Sequence, residues 1–277
     1  MPERASDAKA PPVVVISGAA GGIGRALAER YARAGAALAL LDRDVAGVEA
    51  VAQSDLHFAV PPLAIGCDVT SWEACAEAIE QVCKHFGGID LLINNAGITH
   101  LSPLAETDVD VIRRVMDVNF FGALYCTRAA LPHLAASRGR IAVMSSVAGF
   151  APLAHRTGYS ASKHALHGLF ESLRTEVASD GVSVTMICPS FVRTQIGAHA
   201  LGGDGGRPRA PRSEVGVAME PEHVADAIYR AVEKRQRLLV LGTVGKLSYL
   251  VARIWPALYE RIMARQILRA EDAPRSE

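Results

Sequence analysis

The sequence predicts a single α/β domain of the doubly wound type. Helices are expected on both faces of a mostly parallel sheet of about seven strands, followed by an amphipathic helical extension. The first observation is that short apolar runs alternate with helix-length segments from residue 12 to about residue 190. The second is that these runs are almost continuously hydrophobic, as expected for parallel strands buried on both faces. The third is length, because a chain of 277 residues can bury a large core.

The predicted elements follow one another in strand–helix order, with right-handed crossovers between parallel strands. The predicted strands cover residues 13–17, 38–42, 63–67, 89–94, 141–146, 182–188 and 238–242. The predicted helices cover residues 22–34, 45–53, 72–86, 109–136, 159–179 and 221–235. The alternation resumes after a glycine- and proline-rich stretch, so we interpret residues 190–218 as a loop within one domain.

Three regions are therefore expected. Residues 1–11 are polar and lack the apolar core of a signal peptide, so they are expected to form a flexible leader. The α/β domain covers residues 12–242, and residues 243–277 form the extension and tail. In this extension apolar residues recur at three- and four-residue steps, interrupted at Pro256, with basic residues off that stripe. It packs on the body or a second subunit, or makes a peripheral contact with an anionic membrane; both interpretations stay open.

Composition excludes several classes of protein. Lys+Arg and Asp+Glu balance at 29 each, which gives no electrostatic reason to expect nucleic acid as a partner. The five cysteines include no CxxC pair, which argues against a disulfide framework and a structural zinc site. We expect reduced thiols, no bound metal and a cytoplasmic location, with peripheral membrane association as the alternative. No uncharged apolar run is long enough to span a membrane.

A glycine-rich turn follows the first strand and opens the first helix. It contains Gly18, Gly22, Ile23 and Gly24 in the spacing G-xxx-G-x-G. Glycine permits a tight turn and lets backbone amides approach a pyrophosphate, whose charge the N-terminus of a helix favours. The turn therefore predicts a dinucleotide site.

The second strand ends in Asp42, followed by Arg43. A carboxylate at this place accepts hydrogen bonds from the adenosine ribose hydroxyls and repels a 2′-phosphate, which favours NAD over NADP. The guanidinium of Arg43 could hold that phosphate, so NADP stays the alternative cofactor. The structural alternative for Asp42 is a helix N-cap.

Tyr159 and Lys163 stand four residues apart, on one face of a predicted helix. A nearby cation stabilises a phenolate and lowers the pKa of tyrosine, which makes Tyr159 usable as a general acid and base. Upstream, the fifth strand ends in Ser145 and Ser146, at the edge where open α/β sheets bind ligands. A serine hydroxyl there can orient the reacting oxygen.

These residues together resemble the short-chain dehydrogenase/reductase family over roughly residues 12–242. The resemblance is carried by Gly18, Gly22, Gly24, Asn94, Asn95, Ala96, Gly97, Asn119, Ser146, Tyr159, Lys163, Pro189 and Ser190. It implies a Rossmann fold and hydride transfer with a nicotinamide cofactor. Two departures are Ser17, where the family usually has threonine, and Ser190, where glycine is common.

The resemblance also implies a role for each residue. Tyr159 is the catalytic acid and base, Lys163 binds the nicotinamide ribose, and Ser146 orients the substrate. Asn119 holds a water that links the lysine to solvent, and a bend of the helix is expected there. The implied cofactor contacts are the turn of Gly18, Gly22, Ile23 and Gly24, the ribose-binding Asp42 with Arg43, the adenine contacts Asp68 and Val69, the segment Asn95, Ala96 and Gly97, the residues Tyr159 and Lys163, and the carboxamide contacts Pro189, Val192 and Thr194.

The substrate is expected to contact three segments, residues 98–103, 147–156 and 190–218. The first two of these segments are mainly apolar. They favour a hydrophobic secondary alcohol or ketone resembling a steroid, retinoid or lipid. The polar candidates there are His100, His155, Arg156, Arg209 and Arg212. The alternatives are an NADPH-dependent carbonyl or 3-oxoacyl reductase and a non-catalytic nucleotide-binding scaffold. The resemblance further implies a homodimer or homotetramer, through surfaces that include Leu124, Leu166, Leu169 and Phe170; the alternative for these residues is the protein's own core.

Overall fold

Seven parallel strands form one sheet in the order β3-β2-β1-β4-β5-β6-β7. The computed structural model describes residues 10–54, 56, 58–151, 153–208 and 218–271, with side chains as far as residue 265. The strands are β1 (Val13–Ser17), β2 (Ala37–Asp42), β3 (Leu63–Gly66), β4 (Leu91–Asn94), β5 (Arg140–Met144), β6 (Ser183–Cys188) and β7 (Leu238–Val240). The predicted fold class is confirmed.

Nine α-helices accompany the sheet in the described part of the chain. They are α1 (Gly22–Arg33), α2 (Val45–Ala52), α3 (Trp72–Phe86), α4 (Val109–Met116), α5 (Gly122–Ser137), α6 (Thr157–Glu176), α7 (Pro221–Glu233), α8 (Thr243–Ile254) and α9 (Pro256–Glu271). A π-helical turn, Asp117–Phe121, joins α4 to α5, so the long predicted helix is interrupted by this turn at Asn119. Two short 3-10 turns, Leu104–Glu106 and Val147–Gly149, follow β4 and β5.

The core lies in two layers, one on each face of the sheet. Along β1, Val13 and Val15 join the core that α3, α5 and α6 cover, while Val14 and Ile16 join the core under α1, α2 and α7. Successive side chains of a strand point to opposite faces, so a strand covered on both faces must be apolar throughout. This requirement explains why the strands could be recognised as continuous apolar runs.

The strand order creates a crevice beside β1. From β1 the chain moves outward to β2 and β3, then returns to place β4 on the other side of β1. The crossovers therefore leave β1 and β4 in opposite directions, and their carboxyl ends border an opening where α/β sheets bind ligands.

The C-terminal helices fold back onto the body of the protein. Val251 of α8 and Met263 of α9 pack with Val147 and Ala151, which follow β5, and with the buried Tyr259. Helix α8 ends at Ile254 and α9 begins at Pro256, so the helical extension is interrupted at the proline, as the sequence predicts. Packing on the protein's own body is thus observed for one face of this extension. Within the described residues, no helix has the length and apolarity needed to cross a bilayer.

Several sequence predictions fall outside the described residues. They concern residues 1–9 of the leader, Pro152 in a substrate segment, and Arg209 and Arg212 in the loop. All five cysteines are free thiols. The described residues include no group of three or more His, Cys, Asp or Glu side chains arranged to hold a metal.

Candidate active site

A cleft of about 1030 Å³ runs along the carboxyl ends of the strands, from the glycine turn after β1 to the helices α8 and α9. Most residues that the sequence singled out line this cleft. They are Gly18, Gly22, Ile23, Asp42, Arg43, Asp68, Val69, Asn95, Ala96, Gly97, Ser146, Tyr159, Lys163, Pro189, Val192 and Thr194. Gly24 and Asn119 do not line the cleft, but each contacts a residue that does.

The glycine turn needs glycine for two different reasons. Gly18 and Gly22 adopt φ values of +67° and +55°, a region that side chains with a Cβ rarely occupy. A Cβ on Gly18 would also lie 2.8 Å from the Cα of Ala96. Gly24 instead lets α1 approach the turn, because a Cβ there would overlap the carbonyl oxygen of Gly18. Gly24 therefore serves packing within the turn.

Asn95 fixes this turn to the end of β4. Its Nδ2 donates hydrogen bonds to the carbonyls of Ser17 and Gly18, at 3.1 and 2.9 Å. The hydroxyl of Ser17 in turn accepts from the amides of Asn95 and Ala96, at 3.1 and 3.2 Å. The departure from threonine at position 17 keeps the hydroxyl, and the structure uses it.

The turn has the properties of an anion site. No side chain caps the N-terminus of α1, and a Cβ on the preceding Gly21 would meet nothing within 4 Å. The first amides of a helix have no partner inside it, and the helix dipole adds positive potential there. Open space, free donors and positive potential fit a pyrophosphate.

Asp42 lines the cleft at the carboxyl end of β2. Its Oδ2 accepts a hydrogen bond from the amide of Ala20 at 2.9 Å, and its Oδ1 accepts from the amide of Asp44 at 3.0 Å. Each carboxylate oxygen keeps capacity to accept from a diol. The N-cap interpretation of Asp42 is wrong, because Asp44 caps α2 by accepting from Gly47 at 3.0 Å.

Arg43 lies close to a second carboxylate. Hydrogen bonds from the Thr70 amide and hydroxyl, at 2.9 and 2.8 Å, hold the Asp68 side chain. The hydrogen bond from the Thr70 amide is the main cause that lowers the pKa of Asp68, and the charge of Arg43 contributes to the same shift. The guanidinium of Arg43 is therefore partly compensated by a carboxylate of the protein.

Tyr159 and Lys163 lie one turn apart in α6 and both reach the cleft. Lys163 Nζ is 5.6 Å from the centroid of the Tyr159 ring and donates a hydrogen bond to the carbonyl of Met144 at 2.7 Å. The lysine is 4% exposed, and its burial lowers its pKa to about 8. An ammonium so placed keeps its proton at neutral pH but is poorly solvated, so it favours a nearby anion.

Ser146 follows β5 and is held by its own turn. Its Oγ accepts a hydrogen bond from the amide of Ala148 at 3.2 Å, and the amide of Val147 donates to the carbonyl of Pro189. The second bond ties the ends of β5 and β6 together across the cleft floor. Ser145 also lines the cleft, and its hydroxyl donates to the carbonyl of Lys163 at 3.5 Å.

Asn119 joins three parts of the site from the π-helical turn. Its Nδ2 donates to the carbonyl of Ile98 at 3.0 Å and to Ser162 Oγ at 2.9 Å, while its Oδ1 accepts from the Ile98 amide at 2.8 Å. A Cβ on Gly97 would lie 3.2 Å from this Oδ1 and 3.6 Å from Lys163 Nζ. The Asn119 side chain thus holds the segment after β4 against α6.

His100 does not face the cleft, although the sequence marks it as a polar candidate for the substrate. It is fully buried, and its Nε2 accepts a hydrogen bond from the amide of Gly158 at 2.9 Å. Burial, with the charge of Arg156 as a second cause, lowers the pKa of His100. Of the other two polar candidates in the described residues, Arg156 lines the cleft and His155 does not.

The extension supplies cleft residues that the sequence analysis did not assign to the site. These are Val244, Leu247, Ser248, Val251, Tyr259, Ile262 and Met263. The helical pattern of the extension was visible, but its position over the cleft depends on long-range packing. No local signal in the sequence marks these residues as part of a pocket.

Comparisons with known proteins agree with this geometry. A family model for short chain dehydrogenases matches residues 12–201. A dehydrogenase/reductase SDR family member 7B of Xenopus tropicalis is 35% identical over 263 residues, covering 91% of this chain and 84% of that protein. An 11-beta-hydroxysteroid dehydrogenase A of Arachis hypogaea is 35% identical over 280 residues, covering 96% and 78%.

Two solved structures share the fold and carry nicotinamide dinucleotides. A short chain dehydrogenase/reductase of Burkholderia phymatum in complex with NAD superposes with a TM-score of 0.77 at 25% identity, covering 90% of this chain and 95% of that one. An alcohol dehydrogenase of Thermococcus sibiricus complexed with 5-hydroxy-NADP gives 0.73 at 27% identity, covering 84% and 97%.

Proposed function

This chain belongs to the short-chain dehydrogenase/reductase family, and we propose that it oxidises a hydrophobic secondary alcohol, or reduces the corresponding ketone, with NAD as cofactor. As a member of this family it is a nicotinamide-dependent oxidoreductase acting on CH–OH groups. The choice of NAD, the substrate class and the residue roles below are our proposal.

The observation that carries the proposal is the convergence of three side chains in one cleft. Tyr159 and Lys163 reach it from α6 and Ser146 from the end of β5, while the same cleft continues to the glycine turn and Asp42. The proposed acid–base group and the residues that fit a pyrophosphate and a ribose therefore share one cleft.

A nicotinamide dinucleotide held along the glycine turn and Asp42 would supply a hydride acceptor for the carbinol carbon of the substrate. Tyr159 removes the hydroxyl proton, and Ser146 donates a hydrogen bond to the same oxygen. The Lys163 ammonium stabilises the phenolate form of Tyr159. In the direction of reduction, Tyr159 returns the proton to the oxygen of the carbonyl group. Asn119 acts through Ile98 and Ser162 as a positioning residue.

Asp42 supports NAD as the cofactor. Two backbone amides fix its carboxylate at the end of β2, where it can accept from ribose hydroxyls and repel a 2′-phosphate. NADP stays the alternative because Arg43 also lines the cleft.

The walls near Tyr159 support an apolar substrate. They consist largely of Ile98, Val147, Leu153, Leu201, Val251, Tyr259 and Met263. Apolar walls with few polar groups favour a bulky hydrophobic ligand. The similarity to an 11-beta-hydroxysteroid dehydrogenase is consistent with such a ligand.

We also propose that the enzyme is a homodimer or homotetramer formed through α5 and α6. Leu166 and Phe170 are buried in the protein's own core, so they are unavailable for that contact. Leu124 and Leu169 are half-buried and stay candidates for it. Molar mass measured by light scattering tests this proposal, and a monomeric mass at all concentrations contradicts it.

The test of function is a panel of alcohols followed by NADH formation. The panel contains steroids, retinol, hydroxyacyl thioesters and sugars. We expect turnover with NAD on at least one hydrophobic class and little on sugars. Equal rates on sugars and steroids contradict the apolar pocket. Faster turnover with NADP supports the carbonyl or 3-oxoacyl reductase. No cofactor-dependent turnover on any member supports the nucleotide-binding scaffold.

A further inference from the structure

An apolar surface covers the outer side of the C-terminal helices. We call it the tail face; it consists of Leu247, Leu250, Ile254, Trp255, Leu258 and Ile262, all exposed. Trp255 and Leu250 keep 62% and 55% of their surface in contact with solvent. Elsewhere in the described residues, the large exposed apolar side chains lie on separate elements, although Trp72 and Phe121 both pack against Tyr125. Single exposed apolar residues are ordinary, but a contiguous patch marks a contact surface.

Basic side chains flank the tail face. Lys246 and Arg253 are exposed and seven residues apart in α8, so they lie on one side of the helix, with the exposed Leu250 between them. Arg261 and Arg265 are exposed in α9, where the one acidic residue with a described side chain is Glu260. Within the described part of the chain, none of these four cations forms an ion pair with a carboxylate.

The tail face continues into the cleft. Leu247 and Ile262 belong to the exposed surface and also line the cleft. On the inner side of the same helices, Val251, Tyr259 and Met263 form the cleft wall. An apolar molecule at this surface therefore has an apolar path toward Tyr159.

We propose that the tail face docks on an anionic lipid surface, with α8 and α9 lying in the plane of the interface. The apolar side chains enter the boundary between headgroups and acyl chains, and the flanking cations contact lipid phosphates. A hydrophobic substrate dissolved in the lipid then enters the cleft past Leu247 and Ile262. This last step rests on the proposed function, whereas the docking itself does not.

The charge pattern favours lipid over a second copy of the chain as the occupant. Two copies joined through this surface would bring their excess of cations together, whereas the centres of protein interfaces are depleted of charge. Anionic headgroups neutralise the same cations. A dimer formed through α8 and α9 would therefore overturn the proposal.

Docking can be measured without cofactor or substrate, because Trp255 reports on it. The full chain contains two tryptophans, and Trp72→Phe removes the other signal. This protein is mixed with vesicles of phosphatidylcholine alone or with added phosphatidylglycerol. We expect Trp255 emission to shift to the blue, together with co-sedimentation, on the anionic vesicles only, and salt should weaken both effects.

Variants at exposed positions outside the cleft test the surface. The double change Leu250→Glu and Ile254→Glu is expected to weaken vesicle binding by about tenfold or more. Arg253→Glu with Arg261→Glu should abolish the preference for anionic lipid. The matched control is Val109→Glu, at a position that is 62% exposed on α4, and it should bind as the parent protein does.

Three results would overturn the docking proposal. They are absence of binding to anionic vesicles, equal binding by the Leu250/Ile254 variant, and a dimer that this variant dissolves without any effect of lipid. For substrate entry, we expect the variant to lose turnover of a long-chain alcohol held in anionic vesicles while keeping it on a water-soluble short-chain alcohol. Equal loss on both refutes entry from lipid. Failure of the parent enzyme on every alcohol instead counts against the proposed function and leaves the vesicle result standing.

Discussion

The imidazole of His100 accepts a hydrogen bond from the amide of Gly158 at 2.9 Å and so caps α6 from a loop 58 residues earlier in the chain. The cap lies immediately before Tyr159. The N-terminus of α6 has no side-chain cap from the adjoining Arg156. A buried histidine thus helps to fix the helix that presents the acid–base pair.

This bond makes part of the stability depend on pH. The pKa of His100 is lowered in the folded protein by burial and by Arg156, while in the unfolded chain it is about 6.5. Below that pH the unfolded state binds a proton that the folded state resists, so stability falls as the pH drops from about 7 toward 5. Chemical denaturation across this range measures the loss.

The variant His100→Gln provides the comparison, because glutamine keeps an acceptor but does not titrate. We expect it to show a smaller loss of stability in acid than the parent protein. His155→Gln, at a half-buried position outside the cleft, is the control. Identical slopes for the parent and His100→Gln would show that His100 does not contribute.

Lys163 is expected to lower the stability of the enzyme without cofactor. Its pKa falls to about 8 in the fold from its usual value of about 10.5, which corresponds to roughly 3 kcal/mol of instability at neutral pH. Lys163→Met removes that cost but leaves the buried carbonyl of Met144 without this donor, which costs roughly 1–3 kcal/mol. We predict a Tm about 2 °C higher near neutral pH and turnover at least about 100-fold lower.

The direction of the effect of Lys163 on stability can be checked by varying the pH. Between about 8 and about 10.5 the unfolded chain holds the lysine proton and the folded protein has released it, so the parent gains stability as pH rises. Lys163→Met should lack this gain, and Lys84→Met, at an exposed position in α3, should keep it. A parent protein with no such gain would contradict the burial argument.

Tyr159→Phe tests the acid–base assignment. The change removes one hydroxyl from a side chain that is 9% exposed, so fold and NAD affinity should be preserved. We expect turnover to fall by about 1000-fold or more, since the variant lacks the hydroxyl proposed to take the substrate proton. Fluorescence titration with NAD and steady-state rates measure the two effects. Near-normal rates would refute the role of the phenol.

Asp42→Ser tests the choice of cofactor. Serine removes the charge that repels a 2′-phosphate, so the ratio of kcat/KM for NADP to that for NAD should rise by about tenfold or more. Asp44→Ser is the matched control, because Asp44 caps α2 two residues away. An unchanged ratio in Asp42→Ser, or an equal rise in the control, would assign the selection elsewhere.

The strands could be predicted because a sheet covered on both faces imposes apolar residues at every position. The residues at which the strands begin and end could be predicted less accurately. The fourth strand was predicted from residue 89 but begins at Leu91. Ile89 is buried outside the ladder, and the Asp90 side chain accepts a hydrogen bond from the amide of Val13 at 2.7 Å. Apolar composition does not distinguish a residue that pairs with neighbouring strands from a buried residue just before the strand begins.

The site was predictable where a local spacing reflects the chemistry. The four-residue step from Tyr159 to Lys163 is such a spacing, and both side chains reach the cleft. The cap of His100 on Gly158 joins residues far apart in sequence and leaves no local pattern. The same limit applies to Tyr259, whose place in the cleft wall is set by how α9 packs on the body.

The single helical turn between Tyr159 and Lys163 has a consequence for redesign of the enzyme. Because both groups belong to α6, a rigid shift of that helix leaves their mutual distance unchanged, whereas α8 and α9 belong to a separate part of the chain. Under the proposed function, exchange of the C-terminal helices is therefore expected to change substrate specificity while the Tyr159–Lys163 pair keeps its geometry.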